Sequence, residues 1–123
     1  METIATNRAP AAIGPYSQAK ISNNMLFASG QIPINPATGA IEAKDITGQT
    51  KQVCENIKAL LEDAGTSIEN VVKTTCFLAD IADFTDFNDV YKDYFTSSPA
   101  RSCVAVKDIP KGCLVEIEVI AEL

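Results

Sequence analysis

Apolar residues along this chain change their spacing several times, and each change marks an element. In the closing segment, Leu114 to Ala121, they alternate: Val115, Ile117, Val119 and Ala121 fall on one side, Leu114, Glu116, Glu118 and Ile120 on the other. That period of two predicts a strand with one buried face. From Asp45 to Ala64 the period lengthens, and Val53, Ile57, Leu60, Leu61 and Ala64 mark one buried face of a helix. Asp45 is placed to cap its start and Gly65 to stop it. Phe84, Phe87, Tyr91, Tyr94 and Phe95 predict the core face of a second helix, capped by Asp83, with Asp86 in its first turn and Pro99 just past its end. Val71 to Leu78, rich in Val, Thr and Phe, predicts a strand. So does Arg101 to Val106, which a turn containing Asp108, Pro110 and Gly112 joins to the last strand. Near the start, strands are predicted over Tyr16 to Ile21 and Met25 to Ser29, joined at Ser22-Asn23-Asn24. The Pro- and Gly-rich run from Gln31 to Gly39 reads as loop.

The resulting order β-β-α-β-α-β-β predicts an α+β layer, with two helices packed on one face of a mixed β-sheet. At 123 residues the chain makes one domain, residues 1–123, with 46% hydrophobic and 21% charged positions. On the far side of the last strand, carboxylates interrupt apolar residues. That face is too apolar for free solvent and too charged for a plain core, which predicts a subunit interface containing a polar pocket.

Net charge is −6 and the pI is about 4.5. Lys44, Lys51, Lys58, Lys73, Lys92, Lys107 and Lys111 form no cluster, so nucleic acid is not an expected partner. No apolar run approaches the roughly 20 residues of a membrane span, and no basic flank precedes a hydrophobic run at the N-terminus. A cytoplasmic location without membrane attachment is expected. Cys54, Cys76, Cys103 and Cys113 lie in apolar patterns without a C-x-x-C pair, and the chain has no histidine. Reduced, packed thiols are expected and no metal site.

Chemistry must therefore run on Arg, Glu, Tyr, Ser, Cys and backbone groups. Arg101, one of two arginines, stands in Pro99-Ala100-Arg101-Ser102-Cys103-Val104. Its fixed charge and planar fork match a carboxylate. On residue chemistry alone, Arg101 and Glu116 could equally form a structural ion pair between adjacent strands. Without histidine to activate it, Cys103 reads as a packed residue, and Glu118 as a solvated or interface carboxylate. Phe84, Tyr91 and Phe95 read as core alone.

Several blocks, in order, resemble the reactive intermediate deaminases, the Rid or YjgF-like family, and most closely its imine deaminase members. They are Gly14-Pro15-Tyr16-Ser17-Gln18-Ala19, Ala28-Ser29-Gly30-Gln31-Ile32-Pro33, Phe87-Asn88 and Val90-Tyr91 with Tyr94-Phe95, Pro99 to Val104, Ile109-Pro110-Lys111-Gly112 and Val115-Glu116-Ile117-Glu118. The resemblance implies a chorismate mutase-like fold and a homotrimer with a central barrel-like core, its sites lying between subunits. It further implies cofactor-free hydrolysis of small 2-imino acids and enamines to 2-oxo acids and ammonia, which protects pyridoxal-phosphate enzymes. Two other activities stay open: an endoribonuclease, and a non-catalytic 2-oxo acid binding or chaperone-like protein. Carried over, Arg101 would hold the substrate carboxylate and Glu116 the attacking water. Tyr16, Ser29, Gly30, Asn88 and Cys103 would line the pocket.

Overall fold

A computed structural model describes residues 1–123. The chain runs β1 (Glu2–Ile4), β2 (Ala19–Ser22), β3 (Met25–Ala28), α1 (Ile46–Asp63), β4 (Val71–Leu78), α2 (Phe84–Tyr94), β5 (Ala100–Ala105) and β6 (Val115–Glu122). Three single-turn 3-10 segments, Ile68–Asn70, Ile81–Asp83 and Pro110–Gly112, join them. The strands form one six-stranded sheet in the order β1-β2-β3-β6-β4-β5. Only β4 and β5, linked through α2, run parallel; every other neighbour is antiparallel.

Local chemistry explains most of these boundaries. Asp45 accepts from Gly48 N at 2.8 Å and opens α1. Gly65, at φ +90°, closes it, with Thr66 N on Leu61 O at 3.0 Å and Gly65 N on Glu62 O at 3.1 Å. That is the paired bonding of a Schellman cap, which satisfies carbonyls the helix leaves open. Asn23 and Asn24, at φ 52° and 63°, make the two-residue hairpin turn between β2 and β3. Both left-handed positions there suit asparagine.

Four expectations change. A strand, β1, precedes the two expected at the N-terminal end; its three residues are too few to show a period. β2 begins at Ala19 rather than Tyr16, because Gly14 turns the chain at φ +126° and Tyr16 N bonds back to Gly14 O at 2.9 Å. Asp83 makes no side-chain cap for α2. The 3-10 turn runs straight into the helix, and Asp80 caps that turn instead through Ala82 N at 2.9 Å. Leu114 packs against the core ahead of β6 rather than on its far face, its N–H donating to Gln49 Oε1 at 2.7 Å.

Both helices cover one face of the sheet. Val115, Ile117, Val119 and Ala121 of β6 meet Val53, Ile57, Leu60 and Leu61 of α1 and Phe87 of α2 in a single core. The other face has no cover within the chain. It shows Phe27 and Ile120 paired across β3 and β6, Val104 on β5, and the carboxylates of Glu116 and Glu118.

Candidate functional site

Strand register decides how Arg101 and Glu116 relate. Arg101 pairs with Thr74 of β4, and Thr74 with Val119 of β6. Glu116 pairs with Phe77, and Phe77 with Val104 of β5. Strand β4 therefore separates them. Two strand spacings across and three residues along place their Cα atoms roughly 14 Å apart. The two side chains also take opposite faces. Arg101 reaches toward α2 on the helical face, whereas Glu116 alternates with buried Ile117 and faces the open side. The ion pair between adjacent strands does not form.

Arg101 is held without being neutralised. Its Nη1 donates to Asn88 Oδ1 at 2.7 Å. Its guanidinium carbon lies 4.8 Å from the ring centre of Tyr91 and 5.5 Å from that of Phe84. No carboxylate comes within 4.0 Å, although Arg8, the other arginine, engages both Glu62 and Asp63. Arg101 opens into a cleft of about 420 Å³ with Asn88, Lys92, Ser98 and Pro99. Four of its five N–H donors remain for a ligand. Cys103, two residues along the same face, is half-buried beside the core. Burial pushes its thiol pKa up and Arg101 opposes that only in part, so the group stays a protonated, packed thiol as expected.

The remaining residues gather on the other side. Tyr16, Gly30, Ile32, Pro110 and Lys111 line a cleft of about 400 Å³. Gly30 is set in place by its neighbour, since Gln31 N meets Ile117 O at 2.8 Å and Ile117 N meets Gln31 O at 3.1 Å, stitching this loop to β6. The stitch lays Gly30 directly against Glu116: a Cβ there would lie 1.9 Å from Glu116 Oε2. Gly30 has no positive φ, so space rather than backbone freedom demands glycine. Burial, and then the neighbouring Glu118, raise the Glu116 pKa. Ser29 Oγ donates to Ser17 O at 2.6 Å and is committed to holding the loop. The Tyr16 hydroxyl makes no hydrogen bond, and the residue stands half-exposed at the cleft mouth.

These residues thus fall into two separate groups on each chain. One joins Arg101 with Asn88 and has Cys103 alongside; the other joins Glu116, Gly30 and Tyr16, with Ser29 as support. The widest cleft, about 890 Å³ along the N-terminal segment, is lined by neither Arg101 nor Glu116. Sequence reasoning missed Phe84 and Tyr91 as the bed beneath Arg101. The signal was present: Phe84, Asn88 and Tyr91 follow the i, i+4, i+7 spacing of one helix face. It also missed Lys111, held at φ 60° on the rim of the Gly30 cleft.

Known proteins share this arrangement of chain and fold. A family profile described as Endoribonuclease L-PSP matches residues 6–123. The 2-iminobutanoate/2-iminopropanoate deaminase of Escherichia coli is 48% identical over 124 residues, covering 98% of this chain and 96% of its own. The crystal structure of YyfA from Yersinia pestis, of the conserved Rid protein family, superposes with a TM-score of 0.96 at 54% identity, covering 99% of this chain and 98% of its own. E. coli TdcF with bound serine gives a TM-score of 0.95 at 44% identity, with 100% and 99% covered.

Proposed function

Because the chain belongs to the L-PSP family, the YjgF-like Rid proteins, we propose that it is a deaminase of small 2-imino acids and their enamine tautomers. It releases 2-oxo acids and ammonia at a site that two copies of the chain complete. One observation carries this reading: Arg101 is an oriented, unneutralised guanidinium. Such a group suits a small carboxylate, and a serine-bound relative of the same fold is consistent with an amino-acid-like ligand.

The two half-sites cannot meet within one chain, being on opposite faces of the sheet. A second copy resolves this. The β5 edge carrying Arg101 in one copy lies beside Gly30 and Glu116 of the next, and the open apolar face is buried between them. Every chain supplies both halves, so the contact is head-to-tail and closes as a ring. A ring of three is the assembly that the family resemblance implies.

In this arrangement Arg101 grips the carboxylate and fixes the C=N carbon next to the Glu116 carboxyl. The protonated imine is already electrophilic, so positioning supplies much of the acceleration. Glu116 takes a proton from water as its oxygen bonds to carbon. It then delivers that proton to nitrogen and, as the carboxylate, takes the proton of the new hydroxyl while the C–N bond breaks, so ammonia leaves and the 2-oxo acid carbonyl forms. A carboxyl with a raised pKa suits both directions of transfer, a contribution of roughly 10²–10⁴-fold. Enamines enter after protonation at carbon, which the same carboxyl can serve. Removing reactive enamines protects the pyridoxal-phosphate enzymes that release them, and the reading places the work in the cytoplasm.

Ribonuclease activity, named in the family description, is not favoured by a chain of net charge −6 without histidine. The test is turnover of freshly generated 2-iminopropanoate, with semicarbazide trapping what remains. Arg101→Ala is expected to lose activity at least 10²-fold while staying folded. Full activity in that variant overturns the proposal. So does tight 2-oxobutanoate binding by the native protein with no rate enhancement, which indicates a binding protein.

A further inference from the structure

We propose that Tyr91, with its buried partner Thr74, is a positioning residue that holds the Arg101 guanidinium ready for the substrate carboxylate. The inference rests on the deaminase reading and extends it to a residue that acts through Arg101. Tyr91 is 7% exposed, stacks on Phe95 with ring centres 4.4 Å apart, and meets the tilted ring of Phe87 at 5.5 Å. Its hydroxyl and Thr74 Oγ1 share a hydrogen bond of 2.7 Å inside the core. Thr74 is the residue of β4 that pairs with Arg101 itself. The strand that carries the cation and the ring beneath it are thus tied to one residue, the strand through the Thr74 backbone and the ring through its hydroxyl. The ring has no freedom to rotate away, because both sides are packed and its outer end is bonded.

Arginine is a long side chain with many rotamers, and an exposed one samples most of them. Here three fixed surfaces remove that freedom: Asn88 at the edge, Tyr91 beneath and Phe84 beside. The aromatic faces attract the cation without neutralising it, whereas a carboxylate would compete with the substrate. An Asn in place of Asp at position 88 serves the same end. The bed orients the fork and leaves its charge available.

A positioning role makes a distinctive kinetic prediction. The carboxylate grip persists from substrate to transition state, so weakening it raises KM and leaves kcat nearly unchanged. Mere structural damage instead lowers the active fraction, reducing kcat at constant KM. Tyr91→Leu is expected to raise KM for 2-iminobutanoate, and the calorimetric Kd for 2-oxobutanoate, roughly five- to thirtyfold. Tyr91→Phe keeps the ring and should restore both to within about threefold of the native values. Phe84→Leu, at a partly exposed position, should raise KM by roughly two- to fivefold and supplies the test should Tyr91→Leu fold poorly. Native KM in these ring-less variants, or loss of kcat alone, overturns the inference. Failure of the deaminase reading is distinguishable, since it appears as no rate enhancement by the native protein or as full turnover by Arg101→Ala.

Discussion

Gly30→Ala separates catalysis from stability more cleanly than any change to the charged groups. The added Cβ would lie 1.9 Å from Glu116 Oε2, 2.8 Å from Cδ and 3.1 Å from Cγ. The carboxylate must retreat by about 1.5 Å to reach ordinary contact. The atoms in the way are the far end of a flexible side chain, so a rotamer change of about 0.5–1.5 kcal/mol accommodates the methyl. The backbone accepts alanine, because Gly30 is not at positive φ. Lower entropy of the unfolded chain returns about 0.4–1 kcal/mol. Stability should therefore be nearly unchanged, with the midpoint of thermal unfolding moving by only a few degrees. Catalysis should not be spared. A displacement on the order of 1 Å in the group that steers water can cost about 10²-fold in kcat. KM should stay within about threefold, because the Arg101 half-site is untouched. The assay is steady-state deamination of enzymatically generated 2-iminobutanoate, beside thermal unfolding of the same preparation. A folded Gly30→Ala protein with native kcat would refute the idea that Glu116 acts from where Gly30 admits it.

Two further outcomes follow from the same geometry. The folded pKa of Glu116 is raised by burial and by Glu118, so its contribution to stability is complete below the unfolded carboxyl value and is lost as pH rises through the folded value. Glu116→Gln should then unfold at the same temperature as the native protein in acid and at a higher one near neutrality; calorimetric scans across pH 3 to 8 check it, and no change in the difference would contradict it. Phe27→Asp places a carboxylate on the open face, where Phe27 is 46% exposed within one chain and pairs with Ile120. The single chain should tolerate the change, but burying that charge between copies costs about 3 kcal/mol or more per contact, so sedimentation should show dissociation together with lost turnover.

Much of this organisation was readable from spacing. Both helices and the inward set of β6 followed from periods of 3.6 and 2, strand β4 followed to the residue from its Val, Thr and Phe content, and Asp45 and Gly65 bounded α1 through their own backbone chemistry. What spacing could not give was topology. Strand β6 enters the sheet between β3 and β4, a long-range pairing that no local pattern encodes. For that reason Arg101 and Glu116, close in sequence terms and both on strands, were open to reading as neighbours, whereas β4 separates them and the sheet turns them to opposite sides. The reason for glycine at position 30 was equally hidden, since it depends on the Gln31–Ile117 bridge. Tyr91 looked like core because it is core; its second surface became visible only once Arg101 was placed above it.

Subunit complementation probes the shared site most directly. Arg101→Ala and Glu116→Gln proteins, each inactive alone, are unfolded together, refolded as an equal mixture and assayed for 2-iminopropanoate hydrolysis. If one copy supplies the guanidinium and the next the carboxyl, about a quarter of the sites in the mixed rings carry both intact groups, and about a quarter of native activity should return. A mixture that assembles but stays as inactive as its components would contradict a site built from two chains.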